Sequence, residues 1–138
     1  MYTRGDKMEN IKYISAGVGA VISFVFGGWN TLLSILLAFI ILDYVSGFIA
    51  AGVEGKLNSS VGMKGIAKKV GVFFVVAVAH MLDVALDYDG HILRDATIFF
   101  FLANEALSIL ENVGRIGVPI PRVLQKAIDI LNEKGGDK

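Results

Sequence analysis

Residues 31–53 read TLLSILLAFIILDYVSGFIAAGV, an apolar run whose one charged side chain is Asp43. At about 1.5 Å of rise per helical residue, the run is long enough to cross a hydrocarbon core of about 30 Å. Trp29 precedes it, where an amphipathic ring suits a membrane–water interface. Ser46, Gly47 and Ala50 follow Asp43 on the same helical face. Small and polar side chains on one face let helices approach closely in lipid.

The same pattern recurs on either side. Upstream, residues 11–29 form an apolar segment with Ser15, Gly19 and Ser23 at spacing four, and Ala16 and Ala20 beside them. Lys12 at its start suggests a signal peptide, but Phe24-Val25-Phe26 is no small-residue cleavage site. Downstream, residues 54–65 carry glycines, Asn58 and serines and predict a loop. Spans are then expected at 66–86 and 92–113, separated by a turn at Tyr88-Asp89-Gly90. Gly114 to Pro121 breaks the last span. Leu124, Ala127, Ile128 and Leu131 then share a face, which predicts a short amphipathic helix.

Basic residues set the expected orientation. Arg4, Lys7 and Lys12 precede the first run. Lys56, Lys64, Lys68 and Lys69 separate the second from the third. Arg115, Arg122, Lys126, Lys134 and Lys138 follow the fourth, and the other two connections carry Arg94 alone. Cytoplasmic loops collect Lys and Arg in this way. The expected fold is therefore all-α, a polytopic membrane protein of about four transmembrane helices with both termini cytoplasmic. It divides into an N-terminal segment (1–10), a membrane domain (11–113) and a cytoplasmic amphipathic helix with a tail (114–138). Lys64, Lys68, Lys69 and Arg115 are expected to act as topology anchors, with long side chains reaching the headgroups.

Composition narrows the function. The chain is 54% hydrophobic with a mean hydropathy of +0.63, more apolar than the roughly 45–50% of soluble domains. Its formal net charge is zero, so no bulk basic field favours nucleic acid. It has no cysteine and only two histidines, and neither a metal site, a cofactor site nor a catalytic constellation is expected.

The ionisable groups within the apolar runs need an account. A carboxylate at a helix centre costs about 2.5–3.5 kcal/mol on insertion scales, and the flanking apolar residues offset it. Once inserted, such a group must face protein or water. Asp43 and Glu105 both lie about 20 Å from the outer helix ends, and His80 and Asp83 share a face nearer the outer side. The fourth span sets Thr97, Asn104, Ser108 and Glu111 opposite a wall of Ile98, Phe99, Phe101 and Leu102. Candidate pore-lining or inter-subunit residues are therefore Asp43, Ser46, His80, Asp83, Thr97, Asn104, Glu105, Ser108 and Glu111. A four-helix bundle is filled by its own side chains. Any pore must therefore be built by several copies.

Three separated motifs carry a resemblance: LDYVSG at 42–47, SVGMKGIAKK at 60–69, and ANEALSILEN at 103–112 followed by GVPIP at 117–121. Together they resemble the toxin-secretion/phage-lysis holin family, phage holin family 4, over about residues 10–132. The resemblance implies a small membrane protein that homo-oligomerises in the bacterial cytoplasmic membrane and opens lesions that release endolysin. It brings no catalytic residues, and Asp43, Asn104 and Glu105 carry over as motif positions only. It also gives meaning to Met8 as a second start, because a longer form keeping Arg4 and Lys7 would act as an antiholin. Positive charge resists outward movement across an energised membrane by about 2.3 kcal/mol per charge per 100 mV. A toxin or murein-hydrolase export channel, an ion-coupled transporter and a subunit inhibiting another holin are the competing functions.

Overall fold

The computed structural model describes residues 3–136, so the Met1 start and the tail residues Asp137 and Lys138 lie outside the described residues. Its elements are α1 (Arg4–Phe26), α2 (Thr31–Val53), α3 (Ser59–Ala85), a 3-10 turn (Asp89–His91), α4 (Ile92–Ile116) and α5 (Arg122–Lys134). Among the described residues there is no strand, as an apolar chain of this pattern requires in lipid.

Three helices, not four, are long and apolar enough to cross a membrane: α2, α3 and α4 with its leading turn. The expected first span is the exception. The helix there begins at Arg4 and carries Asp6, Lys7, Glu9 and Lys12 through its first half. Its apolar part, Tyr13 to Phe26, measures only about 21 Å. An odd number of crossings puts the two ends of the α2–α4 unit on opposite sides. The expectation that both termini are cytoplasmic therefore loses its premise. Nor is the small-residue face of α1 packed within the chain: α1 buries no residue, and Gly17 and Gly19 face open space.

The third span also shifts. Asn58 accepts a hydrogen bond from the Ser60 amide at 3.0 Å and starts α3 at Ser59, inside the expected loop. Gly62 and Gly65 sit in its first two turns against the Tyr44 ring, where a Cβ would meet the Tyr44 hydroxyl at 3.3 Å and the ring at 4.0 Å. These glycines serve close helix approach and are not loop breakers.

α2 and α4 run parallel, with α3 antiparallel to both. The core is one stripe from each: Leu33, Leu36 and Ile40 from α2, Val76 from α3, and Ile98 and Leu102 from α4. Asn30 caps α2 by accepting from the Leu33 amide at 2.9 Å. At the same end, Phe26, Trp29 and Phe73 form an aromatic group with centroids 6.2–6.5 Å apart.

α5 does not project away from the bundle. The loop at 117–121 reverses the chain, and α5 lies antiparallel along α4. Ile128 is buried and Leu131 packs against the core cluster. The Lys134 ammonium lies 5.1 Å from the centre of the Phe99 ring.

Leu36 is fully buried, whereas Phe74 is 69% exposed on the outside of α3. Leu36→Ala should destabilise the bundle by about 2–4 kcal/mol through the cavity it leaves, and Phe74→Ala should change it little. Denaturant titration of the purified chain in detergent micelles checks both.

Candidate functional site

The site grows from one position on α3. Lys69 shares a helical face with Val72, Val76, His80 and Asp83, at steps of three, four, four and three, and Phe73 adjoins it. That face meets α2 and α4, so Lys69 turns inward. Because α3 begins at Ser59, Lys69 stands about 15 Å into the helix. Its ammonium donates to Asp43 of α2 and to Glu105 of α4, bridging two carboxylates on different helices. The expected topology anchor Lys69 is thus an internal counter-ion. Lys64 and Lys68 remain exposed.

Asn112 completes the network. Its side-chain amide donates to Asp43 Oδ1 at 2.9 Å, to the Asp43 carbonyl at 3.2 Å and to Ser46 Oγ at 3.0 Å. Ser46 donates in turn to the Asp43 carbonyl at 3.1 Å. Gly47 makes room for this contact, since a Cβ there would stand 3.3 Å from Asn112 Nδ2. The network carries two acids and one base. An unpaired charge here would be costly, and each acid instead has a partner.

A cleft of about 390 Å³ opens beside the network, walled by Asp43, Lys69, Ser108 and Asn112 and reaching Lys56 and Arg115 at its mouth. There Arg115 grips Glu54 through two bonds of 2.9 Å each. This paired geometry holds the Glu54 carboxyl down to about 2, with the Arg115 hydrogen bonds as the main cause.

A second polar group closes the other end. Asp83, buried on α3, accepts from the Leu93 and Arg94 amides at 2.8 and 2.9 Å. It therefore caps α4 from a neighbouring helix, where free amides and the helix dipole favour an anion. Arg94 is buried and donates to the Phe26 carbonyl at 2.9 Å, tying α1 to α4. His80 lies beside His91, with ring centres 5.3 Å apart, and Gly27 at φ 73 passes over both. A Cβ at Gly27 would stand 2.6 Å from His80, so this close approach needs glycine.

The predicted residues therefore separate. Asp43, Ser46, Glu105 and Ser108 gather at the network and its cleft, and His80 and Asp83 at the opposite end. Thr97 bonds its own helix at the Leu93 carbonyl, at 2.6 Å. Asn104 and Glu111 point outward. The inward set on α4 is Arg94, Ile98, Leu102, Ala103, Glu105 and Asn112, so Ile98 and Leu102 of the expected apolar wall face the core, and of the expected wet stripe Ser108 reaches the cleft. Arg94 and Asn112 are not among the expected site residues, and Lys69 is expected there only as a topology anchor. The three-and-four spacing that aligns Lys69 with His80 and Asp83 is the signal that marks it. Among the described residues no group of three or more His, Asp or Glu could hold a metal.

A set of apolar helices enclosing a charged network defines a polytopic helical membrane protein. The bacteriophage holin family matches residues 20–133, and the chain belongs to that family. It is 36% identical to a probable holin of Bacillus phage phi105, over 77% of this chain and 78% of that one. An uncharacterised protein of Listeria innocua is 47% identical, over 88% of this chain and 86% of its own. A 14.9 kDa protein of Clostridium perfringens is 42% identical over 92% and 99%. No solved structure matches.

Two outcomes follow from the ion pairs. Lys69→Met leaves two acids without their cation and should destabilise the chain by about 3–5 kcal/mol. Combining it with Asp43→Asn and Glu105→Gln should restore most of that loss, as read by denaturant titration in detergent. For Glu54, the folded value lies below its ordinary 4.5, so its pairing stabilises the chain above pH 4.5 and is lost as pH falls toward 2. Arg115→Gln should return the Glu54 titration to near 4.5 in an NMR pH series.

Proposed function

We propose that copies of this chain assemble in the bacterial cytoplasmic membrane and open lesions through which an endolysin reaches the cell wall. The observation that carries this reading is the buried network of Asp43, Lys69, Glu105 and Asn112, set in helices otherwise apolar enough to cross a bilayer. Ionisable groups at such depth belong to water paths or to protein contacts. The bundle fills itself, so a path wide enough for a protein requires several copies. The exposed small-residue face of α1 offers one contact between them.

In this reading Lys56 and the 117–121 loop lie on the cytoplasmic side, and the turns at Trp29–Asn30 and Asp89–His91 lie outside. The bias of basic residues supports that orientation. The network then sits in the inner half of the membrane, linking all three apolar helices. Moving any helix separates an acid from Lys69, which gives the closed state a definite barrier. Export of a toxin or murein hydrolase through the same lesion would differ only in cargo. A form starting at Met8 lacks Arg4 and Lys7, whose charges hold the start of α1 out of lipid, and is expected to trigger earlier than the full chain.

Induced expression in a bacterial host should collapse the membrane potential abruptly, and co-expressed muralytic enzyme should then lyse the cells. Asp43→Leu and Glu105→Leu should shift the time of collapse while the protein still reaches the membrane. Ion-selective flux without killing would refute the lesion. Unchanged timing in both variants would reduce the network to a packing device.

A further inference from the structure

We infer that the polar face of α5 lines the aqueous path, at the depth of the bilayer centre, opposite the same face of neighbouring copies. This rests on the oligomeric lesion proposed above and names its wall.

The position of α5 carries the argument. Gly135, which follows α5, lies against the backbone of Phe100, where a Cβ would come within 2.8 Å of its amide nitrogen and Cα. Phe100 is about 12 Å along α4 from Ile92 and about 24 Å from Ile116. α4 with its leading turn is one of the helices apolar enough to cross. α5 therefore folds back beside the middle of a membrane-spanning helix. Its contacts are close ones: Ile128 is 4% exposed, Leu131 packs on the core and Lys134 covers the Phe99 ring.

The outward side of α5 carries a charged stripe, flanked by exposed Val123 and Ile130. Arg122, Lys126, Asp129 and Glu133 fall at steps of four, three and four, on one face, and all are exposed. Along α5, Glu133 and Asp129 lie about 3 and 9 Å from Gly135 and so stand beside the middle of α4, whereas Lys126 and Arg122, about 14 and 20 Å away, approach its Ile116 end. Carboxylates at the depth of Glu133 and Asp129 do not remain against lipid. The stripe carries two cations, Arg122 and Lys126, and two anions, Asp129 and Glu133; copies sharing one orientation set like charges at each depth, and water between them screens that repulsion. A lone chain in lipid has nothing to cover this face. A ring of copies does, with apolar α2–α4 surfaces such as that around Phe74 turned to lipid.

The chain contains no cysteine, so single-cysteine variants need no prior substitution. The purified full-length chain is reconstituted in liposomes, and dye release is recorded alongside reaction with a charged, membrane-impermeant methanethiosulfonate present on both sides. Thiols react as thiolates, which water favours and apolar surroundings suppress. Asp129→Cys and Glu133→Cys should react within about tenfold of free cysteine, and Phe74→Cys at least about a hundredfold more slowly. A Phe99→Cys/Lys134→Cys pair should be bridged by a short bifunctional thiol reagent, showing that α5 stays docked on α4 in the membrane. Gly135→Leu should abolish that bridge, since its backbone φ of −78 accepts a side chain and only the contact with Phe100 is lost.

Bridging with fast reaction supports the inference. Bridging with slow reaction at 129 and 133 overturns it, because the stripe is then dry. Failure to bridge the unaltered helix also overturns it, because α5 then leaves α4 for the membrane surface. Dye release separates the two readings. Release with a dry stripe removes α5 from the wall and keeps the lesion. A wet, docked stripe without release keeps the stripe in water and removes the lesion.

Discussion

Lys69 standing between Asp43 and Glu105 is the contact on which the rest of the arrangement depends. Two carboxylates cannot sit inside an apolar bundle without a cation, and one cation serves both. Because each acid comes from a different helix, the pairing fixes the rotation of all three apolar helices at once. The fully apolar core of Leu33, Leu36, Val76 and Ile98 lies beyond it toward the Asp83 end. Packing of that kind tolerates small rotations, whereas a charge that must meet its partner in lipid does not.

The two ends of the bundle are held by different devices. At the basic end, Arg115 and Glu54 form a half-exposed bidentate pair, open to solvent and pH. At the other end Asp83 caps α4 across helices, and Arg94 reaches the last carbonyl of α1. α1 is therefore fastened at its C-terminal end while the rest of its surface stays open. A helix fastened in this way is available to other copies, which suits a protein whose family acts in membranes during phage lysis.

α5 presents the sharpest tension between composition and place. Its sequence is that of a surface helix, with charges on one side and aliphatic residues on the other. The fold sets it against the aromatic stretch Phe99–Phe101 of an apolar helix. The two facts are compatible when the charged side meets water inside an assembly. Insertion of a polar helix is then a property of the oligomer and not of the single chain.

The sequence by itself determined the helices, their apolar lengths and the rule that Asp43 and Glu105 avoid lipid, because these depend on composition and on spacing within one turn. It misleads at α1, whose apolar half suggests a whole span although the charges up to Lys12 leave too short a remainder. It also misplaces the start of α3, since Gly62 and Gly65 suggest a loop but make room for Tyr44 within the helix. What only the tertiary structure decided is which groups meet. Lys69 lies 26 residues from Asp43 and 36 from Glu105, and Asn112 lies 69 from Asp43. Periodicity gives the face of a helix but not the partner opposite that face, since this depends on the relative rotation and register of separate helices. The reversal of α5 onto α4 is of the same kind: the turn residues 117–121 permit it, and the packing of Ile128, Leu131 and Gly135 selects it.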